Sequence, residues 1–204
     1  HLDASGRSND INIALDGAMS GVEGTGSVTG VENVTTGDGA DVVVGNTDDN
    51  VIVTNDGADT LYGGTGSDTL DGGNQRDLAD YSAHGQGVTV DLTGTNKIVT
   101  DLSGKSDTLI DIEDVRGSSS DDTFRIDTSQ IAGMTDVVDG HTGTGDTIRV
   151  VGGDLFTIDQ FVGKFSNVEE LNISGIDKAT FIDVNGGDPD FSINLDDVAS
   201  LLGS

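Results

Sequence analysis

A chain of 204 residues with 37 acidic against 9 basic residues, a formal net charge of −28, excludes a surface built to meet nucleic acid or an anionic membrane, since both require basic patches. The absence of cysteine excludes a disulfide framework and a thiolate metal site. With 31 glycines and only 33% hydrophobic residues, the composition sits beside that of disordered chains, and a core large enough to offset backbone entropy requires a further staple.

The acid is almost all aspartate, the short carboxylate suited to turns and metal loops; the glutamates are Glu23, Glu32, Glu113, Glu169 and Glu170. The chain opens at His1, which reads as a piece of a longer polypeptide. No signal pattern and no apolar run of membrane-spanning length occurs.

In chain order, residues 1–35 read as an N-terminal strand segment, with Ile11, Ile13 and Leu15 alternating. Residues 36–80 hold five nine-residue blocks without a gap: TGDGADVVV, GNTDDNVIV, TNDGADTLY, GGTGSDTLD and GGNQRDLAD. The sixth place is Asp41, Asn50, Asp59, Asp68 and Asp77; the eighth is Val43, Ile52, Leu61, Leu70 and Ala79. Six residues of Gly-rich turn followed by a three-residue strand leave one inward side chain per block, so a block is stable only when stacked on neighbours. If successive blocks go to opposite sheets, residues 18 apart stack: Val43, Leu61 and Ala79 on one side, Ile52 and Leu70 on the other. This in-phase apolar ladder is what a disordered linker would lack.

Residues 81–149 read as a second, degenerate repeat unit. Asp80-Tyr81-Ser82 followed by Val88, Val90 and Leu92 echoes Asp3-Ala4-Ser5 followed by Ile11, Ile13 and Leu15. Ile112-Glu113-Asp114-Val115 precedes Asp122 as Val31-Glu32-Asn33-Val34 precedes Asp41. GSSSDDTFR at 117–125 and the stretch from Asp139 to Ile148 are further turn–strand units, and their Asp122 and Asp146 read equally as metal ligands or as plain turn formers. Residues 150–204 carry Phe156, Ile158, Phe161, Phe165, Val168, Leu171 and Ile173, and are expected to cap the open end of the stack, with one or two helical turns over Asp196 to Leu202. The whole is expected to be one continuous elongated domain.

GGTGSDTLD and its neighbours resemble the GGxGxDxUx nonapeptide of RTX (repeats-in-toxin) proteins. The resemblance implies an all-β fold: a parallel β-roll, or β-helix, with irregular flanking strand stacks and a C-terminal cap. It implies several calcium ions (Ca2+) between turns on the same side, held by sixth-place carboxylates and turn carbonyls. Asp41 and Asp59 would share one ion, Asp59 and Asp77 another, Asn50 and Asp68 a third, with carbonyls from Thr36, Asp38, Thr54, Asp56, Gly57, Gly63, Thr65, Gly66 and Gly72. An all-oxygen shell of six to eight ligands suits calcium; magnesium resists dehydration, and zinc would want His or Cys, neither clustered here.

The chain departs from the pattern in three places. Asn50 replaces an aspartate, Asp48-Asp49 occupies a usual glycine region, and Gln75-Arg76 precedes Asp77, where the array is expected to end. The segments DYSAxxxGVTVDL, IEDVRGSSSDDTF, FSNVEELNISG and FSINLDDVASLLG look like those joining RTX arrays in large secreted proteins. The function so implied is structural: a calcium-folded module of an extracellular or cell-surface adhesin or biofilm protein, exported through a type I secretion channel and monomeric as a fragment, with no nucleic-acid partner and no membrane insertion. The alternatives are the RTX appendage of a secreted protease, lipase or epimerase, or a surface-layer lattice protein. No catalytic residue is expected: His1, His84 and His141 are scattered, HExxH and GxSxG are absent, and Gly104-Lys105-Ser106 lacks the leading glycine of a phosphate loop, Val99 standing there.

Overall fold

The computed structural model describes residues 1–15, 29–131, 135–151, 164–172 and 192–194. The fold is a parallel β-roll of two sheets, with one helical turn, α1 (Thr128–Ile131), among the described residues. One sheet runs, in spatial order, β1 (Leu2–Asp3), β3 (Asn33–Thr35), β5 (Val51–Val53), β7 (Thr69–Asp71), β11 (Ser106–Ile110), β10 (Lys97–Asp101), β9 (Val88–Asp91), β13 (Thr123–Asp127), β15 (Thr147–Val151), β17 (Glu170–Asn172) and β18 (Ser192–Asn194). The other runs β2 (Asn12–Ala14), β4 (Val42–Val44), β6 (Thr60–Tyr62), β8 (Leu78–Asp80), β12 (Asp114–Arg116), β14 (Val137–Asp139) and β16 (Phe165–Ser166).

Successive blocks do alternate between sheets. Val34, Ile52 and Leu70 pair in register in one, and Ile13, Val43, Leu61 and Ala79 in the other. In a three-residue strand only the middle side chain points inward, and these are the buried ones, at most 3% exposed. Burying each of the larger ones is worth roughly 1.5–3 kcal/mol. The core is therefore a file of single side chains, thin but continuous: Leu70 stacks on Leu109, Ala79 on Val115, and Phe124 on Ile148 and then Leu171.

The flanking stack differs from expectation in one respect. Between β7 and β13 the chain inserts an antiparallel meander, β9–β10–β11, into an otherwise parallel sheet. Val88 and Val90 do form the alternating strand read from the sequence, both buried. The Asp101 carboxylate then organises the return turn, accepting from the Ser103 and Lys105 N–H groups at 2.9 Å each. The reversal places Asp107 directly after Asp68 in the stack. Of the C-terminal apolar residues, Leu171 is buried, and Phe165 and Val168 pack partly buried against the core. Phe156, Ile158, Phe161, Ile173 and the helical turns expected over Asp196 to Leu202 lie outside the described residues.

Candidate calcium-binding ladders

Because strands alternate between sheets, the turns joining them alternate between the two edges of the roll. The sixth-place residues form two columns, Asp41–Asp59–Asp77 on one edge and Asn50–Asp68 on the other, each side chain no more than 2% exposed. Within a column every carboxylate accepts from the backbone N–H of the residue one turn earlier: Asp59 Oδ1 from Asp41 N at 2.7 Å, Asp77 Oδ1 from Asp59 N at 2.9 Å, Asp68 Oδ1 from Asn50 N at 2.7 Å. This uses one oxygen of each pair. The Oδ2 atoms of Asp41, Asp59, Asp68 and Asp77 are buried and accept no hydrogen bond. A buried carboxylate oxygen without a partner is costly, and a column of them compounds the cost by mutual repulsion.

The ionisation equilibria show that cost. Burial pushes Asp68 and Asp77 up to about 7, against the N–H bonds from Asn50 and Asp59, which pull the other way. Burial also raises Asp41 and Asp59. The Thr36 and Thr54 hydroxyls beside them offset part of that, although each donates its proton to a carbonyl, Thr54 O at 3.2 Å and Gly72 O at 3.0 Å. As carboxylates, these groups call for a cation at Oδ2.

The turns supply the remaining donors. A methyl group on Gly66 would lie 2.2 Å from Asp48 O and 2.6 Å from Asp68 Oδ1; on Gly63 it would lie 2.5 Å from Asp68 Oδ2. On Gly57, at φ +153°, it would lie 1.7 Å from Gly39 O and 2.9 Å from Asp59 Oδ1. Only glycine leaves carboxylate and carbonyl oxygens facing the same space. Among the expected carbonyl donors, Asp56 O accepts from Gly39 N at 2.8 Å, Thr36 O from the Asn55 amide, and Thr54 O and Gly72 O from hydroxyls as above, each keeping a second lone pair. Asp38 and Thr65 are tied into the stack by their own N–H groups, to Arg7 O at 2.8 Å and Asn46 O at 2.9 Å. No group of three or more His, Cys, Asp or Glu side chains suited to a metal occurs among the described residues. The donor set is carboxylate plus carbonyl oxygen, which fits calcium and not zinc.

The degenerate unit is mixed. Asp122 has both oxygens filled by protein donors: Oδ1 by Val88 N and Ser118 Oγ, Oδ2 by Ser118 N, each at 2.7 Å. Asp146 accepts from Asp122 N through Oδ1 at 2.6 Å, while its Oδ2 is buried and unpartnered, and burial pushes the carboxyl up to about 6. Asn50 meets its need internally, Oδ1 accepting from Asn46 N at 2.9 Å.

Three column members escaped the sequence reading. Asp107 follows Asp68, accepting from its N–H at 2.8 Å, and its Oδ2 accepts from the buried Tyr81 hydroxyl at 2.9 Å. Glu113 follows Asp77 and Glu169 follows Asp146, each accepting through Oε2 at 2.9 Å. The available signal was the scarcity of glutamate and its recurrence after an apolar residue at 32, 113 and 169.

Fold and columns together define a parallel β-roll whose turns gather carboxylate and carbonyl oxygens along both edges. Residues 29–57, 35–70 and 44–79 each match the family model of the RTX calcium-binding nonapeptide repeat, which supports the RTX family and a structural, calcium-binding role for this stretch. No curated protein matches the chain.

Proposed function

We propose that this chain is a calcium-folded structural module of a larger secreted RTX protein, an adhesin of the cell surface or a biofilm. The observation that carries the calcium reading is the file of buried, unpartnered Oδ2 atoms on Asp41, Asp59, Asp68 and Asp77. Ions shared by Asp41 with Asp59, Asp59 with Asp77, and Asn50 with Asp68 would neutralise them, with turn carbonyls completing each shell. Asp146, whose Oδ2 is unpartnered, would hold a further ion in the degenerate unit, whereas the Asp122 oxygens are already filled by protein donors. Where calcium is scarce the columns repel and the roll stays open, so the chain passes a type I channel unfolded. Outside, calcium binding becomes folding free energy.

The division into an N-terminal segment 1–35, roll 36–80, degenerate unit 81–149 and cap 150–204 belongs to the same proposal. Export agrees with RTX repeats being typical of secreted proteins, and no helix among the described residues is long and apolar enough to cross a membrane. The adhesin role rests on the resemblance of the joining segments. Circular dichroism tests the reading: loss of most β structure in chelator, full β structure in millimolar calcium, and no rescue by equal magnesium, which resists dehydration. A full β spectrum in excess chelator would refute it.

A further inference from the structure

The columns do not end where the nonapeptides end. Asp111-Ile112-Glu113 and Asn167-Val168-Glu169 are two copies of one short turn. The first residue of each has positive φ, 47° at Asp111 and 52° at Asn167; the apolar middle residue packs on the core; the glutamate immediately precedes a strand. Backbone bonds place both glutamates at the sixth place. Asp114 N donates to Asp77 O at 2.8 Å as Leu78 N does to Asp59 O at 2.9 Å, and Glu170 N donates to Asp146 O at 3.0 Å as Thr147 N does to Asp122 O at 2.9 Å. From this shorter turn the glutamate side chain, one methylene longer than aspartate, reaches the N–H of the preceding turn.

Each copy closes on a cradle. A methyl on Gly72 would lie 2.5 Å from Asp77 Oδ2 and 2.6 Å from Asp111 O, so both oxygens face one point. A methyl on Gly140 would lie 2.8 Å from Asp146 Oδ2 and 1.9 Å from Asn167 O. Asp77 and Asp146 are both fully buried, with these Oδ2 atoms unpartnered. Each unpartnered oxygen thus shares its cradle with a carbonyl of the turn that carries the glutamate.

We propose that Glu113 and Glu169 are the closing ligands of two further calcium sites, one with Asp77 and the Asp111 carbonyl, the other with Asp146 and the Asn167 carbonyl. Each site offers two carboxylates and at least one carbonyl, a hard all-oxygen set. The first clamps the end of the roll to the flanking stack; the second closes the degenerate unit. Glu32, third in the same kind of turn after Gly30 at φ +67°, stands at the start of the other column, where its carbonyl accepts from the Asn50 amide at 3.2 Å.

This inference rests on the calcium reading, and calorimetric calcium titration of the full chain separates the two. Glu113→Gln and Glu169→Gln keep an oxygen to accept the Asp77 or Asp146 N–H but remove the charge. Each is expected to lose one ion from the wild-type count, or bind it at least tenfold more weakly, and the double variant to lose both, while Glu170→Gln changes nothing. Gly72→Ala fills the first cradle and should remove the same ion as Glu113→Gln, with the β spectrum at saturating calcium confirming that it folds. Wild-type count and affinity in both glutamine variants would overturn the inference and leave the calcium reading standing; a wild-type chain that takes up no calcium would overturn both.

Discussion

The roll and the flanking stack face the same difficulty, acidic residues piled at strand-to-strand spacing, and they meet it differently. Between Arg7 and Arg76 there is no lysine or arginine at all. From Arg76 in the last block onward, basic side chains take up the task, and Lys105 reaches back to Asp49 at 3.4 Å. Arg116 bridges Asp80 at 3.0 Å and Asp139 at 3.3 Å across three stacked strands, Arg125 holds Asp91 at 2.6 Å, Lys97 holds Asp136 at 3.1 Å, and Arg76 pairs with Asp114. Asp107 is closed by the Tyr81 hydroxyl and Asp122 by Ser118. A column with built-in donors can stand without metal, whereas a column of orphaned oxygens waits for one. The difference teaches that calcium dependence is local, set by which carboxylates the chain has left unanswered.

The largest expected effect breaks the comparison by removing metal. In chelator the roll should lose its β structure while strands β9 to β13 keep more of theirs, as read by residue-resolved hydrogen exchange. Next comes Asp59→Ala against Asp68→Ala. Asp59 lies between two carboxylates, Asp41 and Asp77, whereas Asp68 lies between Asn50 and the already satisfied Asp107. Calorimetric titration should show the greater loss of calcium binding in Asp59→Ala; equal losses would mean the columns do not share ions.

Proton competition gives a third, smaller effect. Asp68 and Asp77 are raised to about 7 in the fold from an ordinary value of 3.8. Between those limits the metal-free folded state binds more protons than the unfolded chain, so its stability is fully present below the ordinary value and is lost as pH rises through about 7. Calcium needs the deprotonated form. Its affinity should therefore fall as pH drops below about 7, with proton release on binding measurable by calorimetry in buffers of different ionisation heat. The smallest effect sharpens the other side: Arg116→Ala should cost about 1 kcal/mol, since an exposed guanidinium is screened by solvent, and leave the calcium midpoint unchanged.

The alternation of sheets and both columns within 36–80 were legible because the blocks run without a gap, so period alone fixes which residues stack. Asp107 was not, since it reaches its column only through the antiparallel meander, and a sequence of alternating apolar residues does not say which way a strand runs. Glu113 and Glu169 were hidden by turn length: three residues rather than six break the nonapeptide spacing, although hydrogen bonding keeps the register. Asp122 and Asp146 carry the same residue at the same place, and only the contacts distinguish them, Ser118 satisfying one and nothing satisfying Oδ2 of the other.

Hydrogen exchange at the backbone amides of Asp41, Asn50 and Asp59 tests the central claim most directly, because each donates to the next carboxylate of its own column. These amides should exchange freely in chelator and become strongly protected at saturating calcium, while the Asp68 amide, held by Asp107, changes less. Equal protection of the three amides with and without calcium would contradict the account.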